Sequence, residues 1–214
     1  MSVKCCGRWA PDRNGKSEER RMLNGVKRSR EERIQEMLDH YEITKTVNIY
    51  CHGCDRMDHD MTRSTYLEDS WDDHGMNKCP GPEFVRRLME SLPHSNMCTH
   101  VLGQTLINVT GDDAGAETYF IAIMRTPGAR EGDVENLNMI GGRYADTLRR
   151  VDDEWLVKKR ICIRDWSITQ PITEDWLIGK NHALGHRSDE DPSYSVLGLK
   201  HSGQFGAGMF ATMA

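Results

Sequence analysis

A change of period constrains this chain more than any other feature. From 97 to 168 the apolar residues alternate, in four segments: 97–109 (MCTHVLGQTLINV), 114–125 (AGAETYFIAIMR), 138–150 (NMIGGRYADTLRR) and 154–168 (EWLVKKRICIRDWSI). A period of two belongs to strands, whose side chains point alternately to two faces. The links are Thr110-Gly-Asp-Asp113, a longer loop around Pro127–Asn136, and the tight Val151-Asp-Asp153. Such links are hairpin signals, so the expected sheet is antiparallel. Before residue 97 the apolar residues recur instead at three- and four-residue steps. Helices followed by a meander of strands make an α+β pattern. A curved sheet that wraps helices encloses a cone.

The helical part opens on Ser29-Arg-Glu-Glu32, a capping box in which serine and glutamate satisfy each other's backbone N–H groups. Ile34, Met37, Leu38, Tyr41, Lys45, Asn48, Cys51 and Asp55 then recur at helical spacing, apolar first and polar at the end. This stripe predicts a helix that leaves the core or lines a cavity at its C-terminal end, with Gly53 loosening the last turn. Residues 60–69 predict a second short helix, and residues 70–75 (SWDDHG) an extended segment. There Trp71 and Asp73 fall on one side, Asp72 and His74 on the other. Pro82 suits the first turn of a further helix. Phe84, Val85, Leu88, Met89 and Leu92 give that helix an apolar face, and Pro93 ends it.

A length of 214 residues suits one domain with extensions. The expected boundaries are an N-terminal arm over 1–28, a domain over 29–170 and a C-terminal extension over 171–214. The extension runs over the surface or a subunit interface, with Trp176, Leu177, Tyr194, Val196 and Leu197 as anchors. The arm is polar and basic, a loose tail or a segment that packs on a neighbouring subunit. A net charge of −5 argues against a general nucleic-acid binder. No apolar run approaches a membrane span and no secretory signal is recognisable. Seven irregularly spaced cysteines read as reduced thiols, so the expected location is cytoplasmic.

Chemistry-bearing residues crowd into Tyr50-Cys-His-Gly-Cys-Asp-Arg-Met-Asp58. Cys51 and Cys54 form a CxxC, but no second CxxC completes a zinc site, and His52 and His59 would diverge on a helix. Phosphate loops, GxSxG elbows and dinucleotide fingerprints are absent, so no cofactor and no metal are expected. Read alone, Asp55 is an ordinary helix-end acid, and Tyr50 is either a core tyrosine or a hydroxyl that hydrogen-bonds a substrate oxygen. Asp58 reads as a surface acid or the cap of the next helix. His100 reads as a structural strand histidine, sharing a face with Leu102, Gln104 and Leu106. Arg160, after Lys158 and Lys159, fits a solvated basic strand, with Arg164 on the same face. His74 fits a strand-end histidine bonded to Asp72 or Asp73.

The order of these pieces resembles the SnoaL-like branch of the nuclear-transport-factor-2-like superfamily, over about 30–170. The matching residues are Tyr50…Asp55…Asp58, Tyr66-Leu-Glu-Asp69…Asp73-His-Gly75, Thr99-His-Val-Leu102 and Gly111-Asp-Asp-Ala114. Gly142-Arg-Tyr-Ala-Asp146, Arg150…Trp155-Leu-Val-Lys-Lys-Arg160, Asp165-Trp166 and Asp191-Pro-Ser-Tyr194 follow in order.

The resemblance implies an α+β cone around an apolar pocket. The branch includes scytalone dehydratase, a bile-acid dehydratase, a hexachlorocyclohexane dehydrochlorinase, ketosteroid isomerase, polyketide cyclases and a diarylpropane lyase. It implies a cofactor-independent lyase or dehydratase in which Asp55 orients His100, the proton-transfer base. Tyr50, Arg160 and His74 assist the leaving group. The implied substrate is a largely apolar cyclic or aromatic compound bearing hydroxyls. Deformylation or isomerisation would use the same groups. A binding module or a hydroxylase accessory subunit are the other uses of such a fold. The implied assembly is a homotrimer, with a dimer second.

Overall fold

The computed structural model describes residues 29–173 and 182–203. The N-terminal arm and the anchors Trp176 and Leu177 lie outside them. The chain divides into two units, Met1–Gln35 and Glu36–Ala214. In the first, helix α1 (Arg30–Arg56) begins with the expected capping box. The Ser29 amide donates to Glu32 Oε2 at 2.7 Å, and the Glu32 amide donates to Ser29 Oγ at 3.1 Å.

The second unit continues α1 and adds α2 (His59–Arg63), β1 (Tyr66–Asp73), β2 (Lys78–Pro80) and α3 (Gly81–Ser91). A 3-10 turn over Leu92–His94 leads to β3 (Met97–Thr110), β4 (Asp113–Thr126), β5 (Asn136–Val151) and β6 (Glu154–Pro171). A short helix, α4 (Pro192–Leu197), follows. The six strands form one curved, open sheet in the order β2-β1-β6-β5-β4-β3. Hairpins join β3 through β6 antiparallel, as their turn chemistry requires. Asp152 and Asp153 take positive φ in the last of these turns, a conformation that aspartate tolerates better than most residues. The expectation of a wholly antiparallel sheet needs one correction. β1 lies parallel to β6, because it comes from the helical part and enters the sheet by a long crossover rather than a hairpin.

The core lies between the concave face of the sheet and the helices. Ile43, Val47, Phe84, Val85, Leu148, Trp155 and Val157 are its most buried apolar residues. The buried stripe of α1 departs from the one that periodicity singled out until Cys51 and Asp55, which belong to both. Met37, Leu38 and Tyr41 are exposed, as are Lys45 and Asn48. The buried side carries Asp39, Ile43, Thr46, Val47, Tyr50, Cys51, Cys54 and Asp55. Two stripes compete on this helix, and the one with Ile43, Val47 and Tyr50 meets Trp155. Its single charge near the start, Asp39, is neutralised by Arg150 at 2.8 Å and accepts from the Trp155 indole at 3.2 Å.

Gly53 is not a loosened turn. It is buried, and a Cβ there would stand 2.4 Å from Thr62 Oγ1 and 2.8 Å from the Thr62 amide nitrogen. The absence of a side chain lets α2 fold back on the end of α1. Gly53→Ala is therefore expected to cost about 1–3 kcal/mol by overpacking, measured by denaturant unfolding.

Candidate active site

Asp55 lies in the last turn of α1 and His100 near the start of β3. Both oxygens of the carboxylate are engaged by the same residue. His100 Nδ1 lies 2.7 Å from Oδ1, and the His100 amide donates to Oδ2 at 2.9 Å. Burial pushes the Asp55 carboxyl up, but the His100 ring and amide outweigh it and leave the group below its ordinary value. Asp55 is thus an anion at neutral pH, facing an imidazole whose orientation is fixed from two sides. Nδ1 carries the proton shared with Asp55, so Nε2 is the nitrogen left to accept one.

Alternation does not run through β3 as the sequence predicts. The register slips between Leu102 and Thr105. Cys98, His100 and Leu102 share the inner face, and beyond the slip Ile107 and Val109 take it over. Gln104 and Leu106 therefore do not join His100; both are exposed. A bulge changes which residues face inward, and a rule of alternation cannot see it.

From His100 a row of rings crosses the concave face. Phe120 stands 6.3 Å away, stacks on Tyr144 at 4.3 Å, and Tyr144 lies 6.3 Å from His74. His74 in turn stacks on Phe84 at 4.3 Å. Its Nδ1 makes a short contact with Asp72, a fully buried carboxylate that also accepts from the Tyr66 hydroxyl at 2.7 Å. Burial alone would lower the His74 pKa, but its bond to Asp72, seconded by Cys162, raises it to about 9. His74 is thus the strand-end histidine bonded to Asp72 and, at neutral pH, a cation beside Tyr144.

Because its folded value lies above the free one, this pairing contributes stability fully below about pH 6.5 and loses it as pH rises through about 9. Wild-type protein should lose roughly 1–3 kcal/mol over that window. His74→Gln should show a flatter profile in denaturant titrations at several pH values.

Arg160 is fully buried. Its guanidinium forks onto Asp146, with Nε to Oδ1 at 2.8 Å and Nη2 to Oδ2 at 2.6 Å. Its carbon centre lies 4.1 Å from the Tyr50 ring and 4.3 Å from the Tyr144 ring. The reading of Arg160 as a solvated strand cation is overturned, because β6 is a central strand with a helix against this face. Nη1 makes no hydrogen bond. Arg164, the alternative cation, is exposed. Tyr50 is itself core, edge-on to Tyr66 and Tyr144.

Asp58 is buried rather than superficial. It caps α2 through the Met61 amide at 3.1 Å, and it accepts from Tyr194 at 2.9 Å and Ser202 at 2.8 Å. Its partners belong to the C-terminal extension, which runs against the end of α1. Arg187 reaches further in. It donates to the carbonyls of Leu92 at 2.7 Å, Ser95 at 2.6 Å, Asp55 at 3.2 Å and Cys54 at 3.3 Å. A cation there complements the carbonyl end of the helix dipole. Nothing in the local sequence marks Arg187, an arginine in a polar stretch. Asp191-Pro192, by contrast, is a recognisable helix start, and Asp191 does cap α4. A groove of about 720 Å³ opens between α1, α2 and this extension. Asn48, Ile49, His52, Met61 and Leu199 are among its walls, and neither Asp55 nor His100 lines it.

A helix-bearing curved sheet with a carboxylate–histidine pair on its concave side defines an α+β cone. The family pattern for the SnoaL-like domain matches residues 35–161, more than half of the chain, and the chain belongs to that family. No curated protein matches significantly. Among solved structures, a scytalone dehydratase-like protein of Novosphingobium aromaticivorans shares 18% identity, covering 70% of this chain and 99% of that one, with a TM-score of 0.57. The type-3 hexachlorocyclohexane dehydrochlorinase of Novosphingobium barchaimii shares 15%, covering 71% and 99%, also at 0.57. A Nostoc punctiforme protein with a cystatin-like fold shares 20%, covering 60% and 92%, at 0.50. At these identities the likeness is one of fold. No helix is long and apolar enough to cross a membrane among the described residues.

Proposed function

We propose that the protein is a cofactor-independent lyase, most simply a dehydratase, acting on a largely apolar cyclic or aromatic substrate that carries hydroxyls. The observation that carries the reading is the double engagement of Asp55 by His100. It holds the imidazole in one tautomer with Nε2 ready to take a proton from carbon. Asp55 then stabilises the imidazolium that forms. As the C–H pair becomes the new double bond, the bond to the β-oxygen breaks. Departing hydroxide takes a proton from solvent, and solvent takes the abstracted proton from His100. Arg160 Nη1, without a partner of its own, is the donor suited to an oxyanion. The Phe120–Tyr144 stack supplies an aromatic wall.

The test is a panel of hydroxylated aromatics, diarylpropane diols and steroids, read by mass spectrometry with His100→Ala as the blank. Loss of water that depends on His100 supports the proposal. Loss of formaldehyde or a shifted double bond would move the assignment to a deformylating lyase or an isomerase using the same dyad. Tight binding without turnover would leave a binding module or accessory subunit.

A homotrimer, with a dimer second, is the proposed assembly. Support comes from the convex face, where Val101 pairs with Ile121 in register, and Ile121, Trp166 and Ile168 are exposed. Light scattering on the purified protein decides it.

A further inference from the structure

The dyad has a third neighbour that the mechanism does not use. Cys98 lies two residues before His100 on the same face of β3, is buried and forms no disulfide. The Cys98 sulfur, a ring nitrogen of His100 and a carboxylate oxygen of Asp55 all lie within 4.8 Å of one another. Tetrahedral zinc sets thiolate, imidazole and carboxylate ligands roughly 3.3–3.8 Å apart, given bonds of about 2.3 Å to sulfur and 2.0–2.2 Å to nitrogen or oxygen. The three groups already lie within reach of one ion. The 2.7 Å contact between His100 Nδ1 and Asp55 Oδ1 must open to admit the ion.

We propose that Asp55, Cys98 and His100 form a three-ligand site for zinc, with water at the fourth position. A thiolate and an imidazole favour zinc over magnesium or calcium, which prefer oxygen ligands alone. The CxxC of α1 is not this site. Among the described residues Cys51 and Cys54 belong to no such group of three, whereas Cys98, with no motif around it, does. Binding is balanced in protons. The thiol proton leaves to buffer, zinc takes the Nδ1 lone pair, and the Nδ1 proton relocates to Nε2. With three protein ligands rather than four, the site binds more weakly than a four-ligand structural zinc. Resting on the dyad reading above, the consequence is inhibition. An imidazole with zinc on Nδ1 and a proton on Nε2 has no nitrogen left to act as base.

The experiment measures metal binding first and activity second. Full-length reduced protein is titrated with zinc against a chromophoric chelator, and separately with cobalt. The expected result is one equivalent of zinc, bound about tenfold or more weakly by Cys98→Ser and by His100→Ala. The cobalt form should show a thiolate charge-transfer band in the near ultraviolet that Cys98→Ser loses. Unchanged affinity in Cys98→Ser, or binding lost only when Cys5 and Cys6 are both replaced by serine, overturns the site. A wild-type cobalt spectrum without the thiolate band does so too. Zinc bound as expected but with turnover unaffected would spare the site and sink the dyad reading.

Discussion

Replacing His100 with alanine should lower kcat on a substrate found by the panel by about 10²–10⁴-fold, the range for removing a positioned general base. Asp55→Asn should fall in the same range for a different reason. The carbonyl of the introduced amide would keep the His100 amide bond that Asp55 makes at 2.9 Å, leaving its NH₂ toward Nδ1. Nδ1 must then accept, the proton moves to Nε2, and the base is lost although the ring stays in place. Two measurements separate this from simple damage to the fold. Added imidazole should partly restore His100→Ala, and Asp55→Asn should keep a wild-type circular dichroism spectrum. Wild-type activity in either variant would dismiss the dyad.

The second large effect is on stability. Asp146→Ala leaves the Arg160 guanidinium fully buried with neither of its two short bonds. Breaking one side of a buried pair costs about 3–5 kcal/mol, a large part of the 5–15 kcal/mol that holds a typical domain together. The double replacement Arg160→Met with Asp146→Leu should recover most of it, because no charge is then stranded. Urea unfolding of wild type, single and double variants checks both statements. If Asp146→Ala unfolds within about 1 kcal/mol of wild type, the pair is better hydrated than its burial indicates.

What could be read from the sequence was local. The capping box at Ser29–Glu32, the turns at Gly111–Asp112 and Asp152–Asp153, and the helix start at Pro82 each carry their cause within four residues. Only resemblance points to Asp55 and His100; their distance depends on how α1 meets β3, which no local rule supplies. The losses have the same origin. The slip in β3 exchanges faces without changing composition. The buried stripe of α1 is chosen by Trp155, more than a hundred positions away. The parallel pairing of β1 with β6 leaves no turn to detect. Arg160 changed character because its strand proved central, with both neighbours paired.

The Arg187 bonds to the carbonyls of Cys54 and Asp55 also say something about time. On the ribosome, α1 emerges early and β3 is complete by Thr110, so both members of the dyad have been made when about half of the chain exists. The guanidinium that fastens that helix end emerges only after β6. A nascent chain stalled before residue 187 would therefore hold the dyad on a helix terminus with unanswered carbonyls. Until residue 187 is made, those two carbonyls lack this donor.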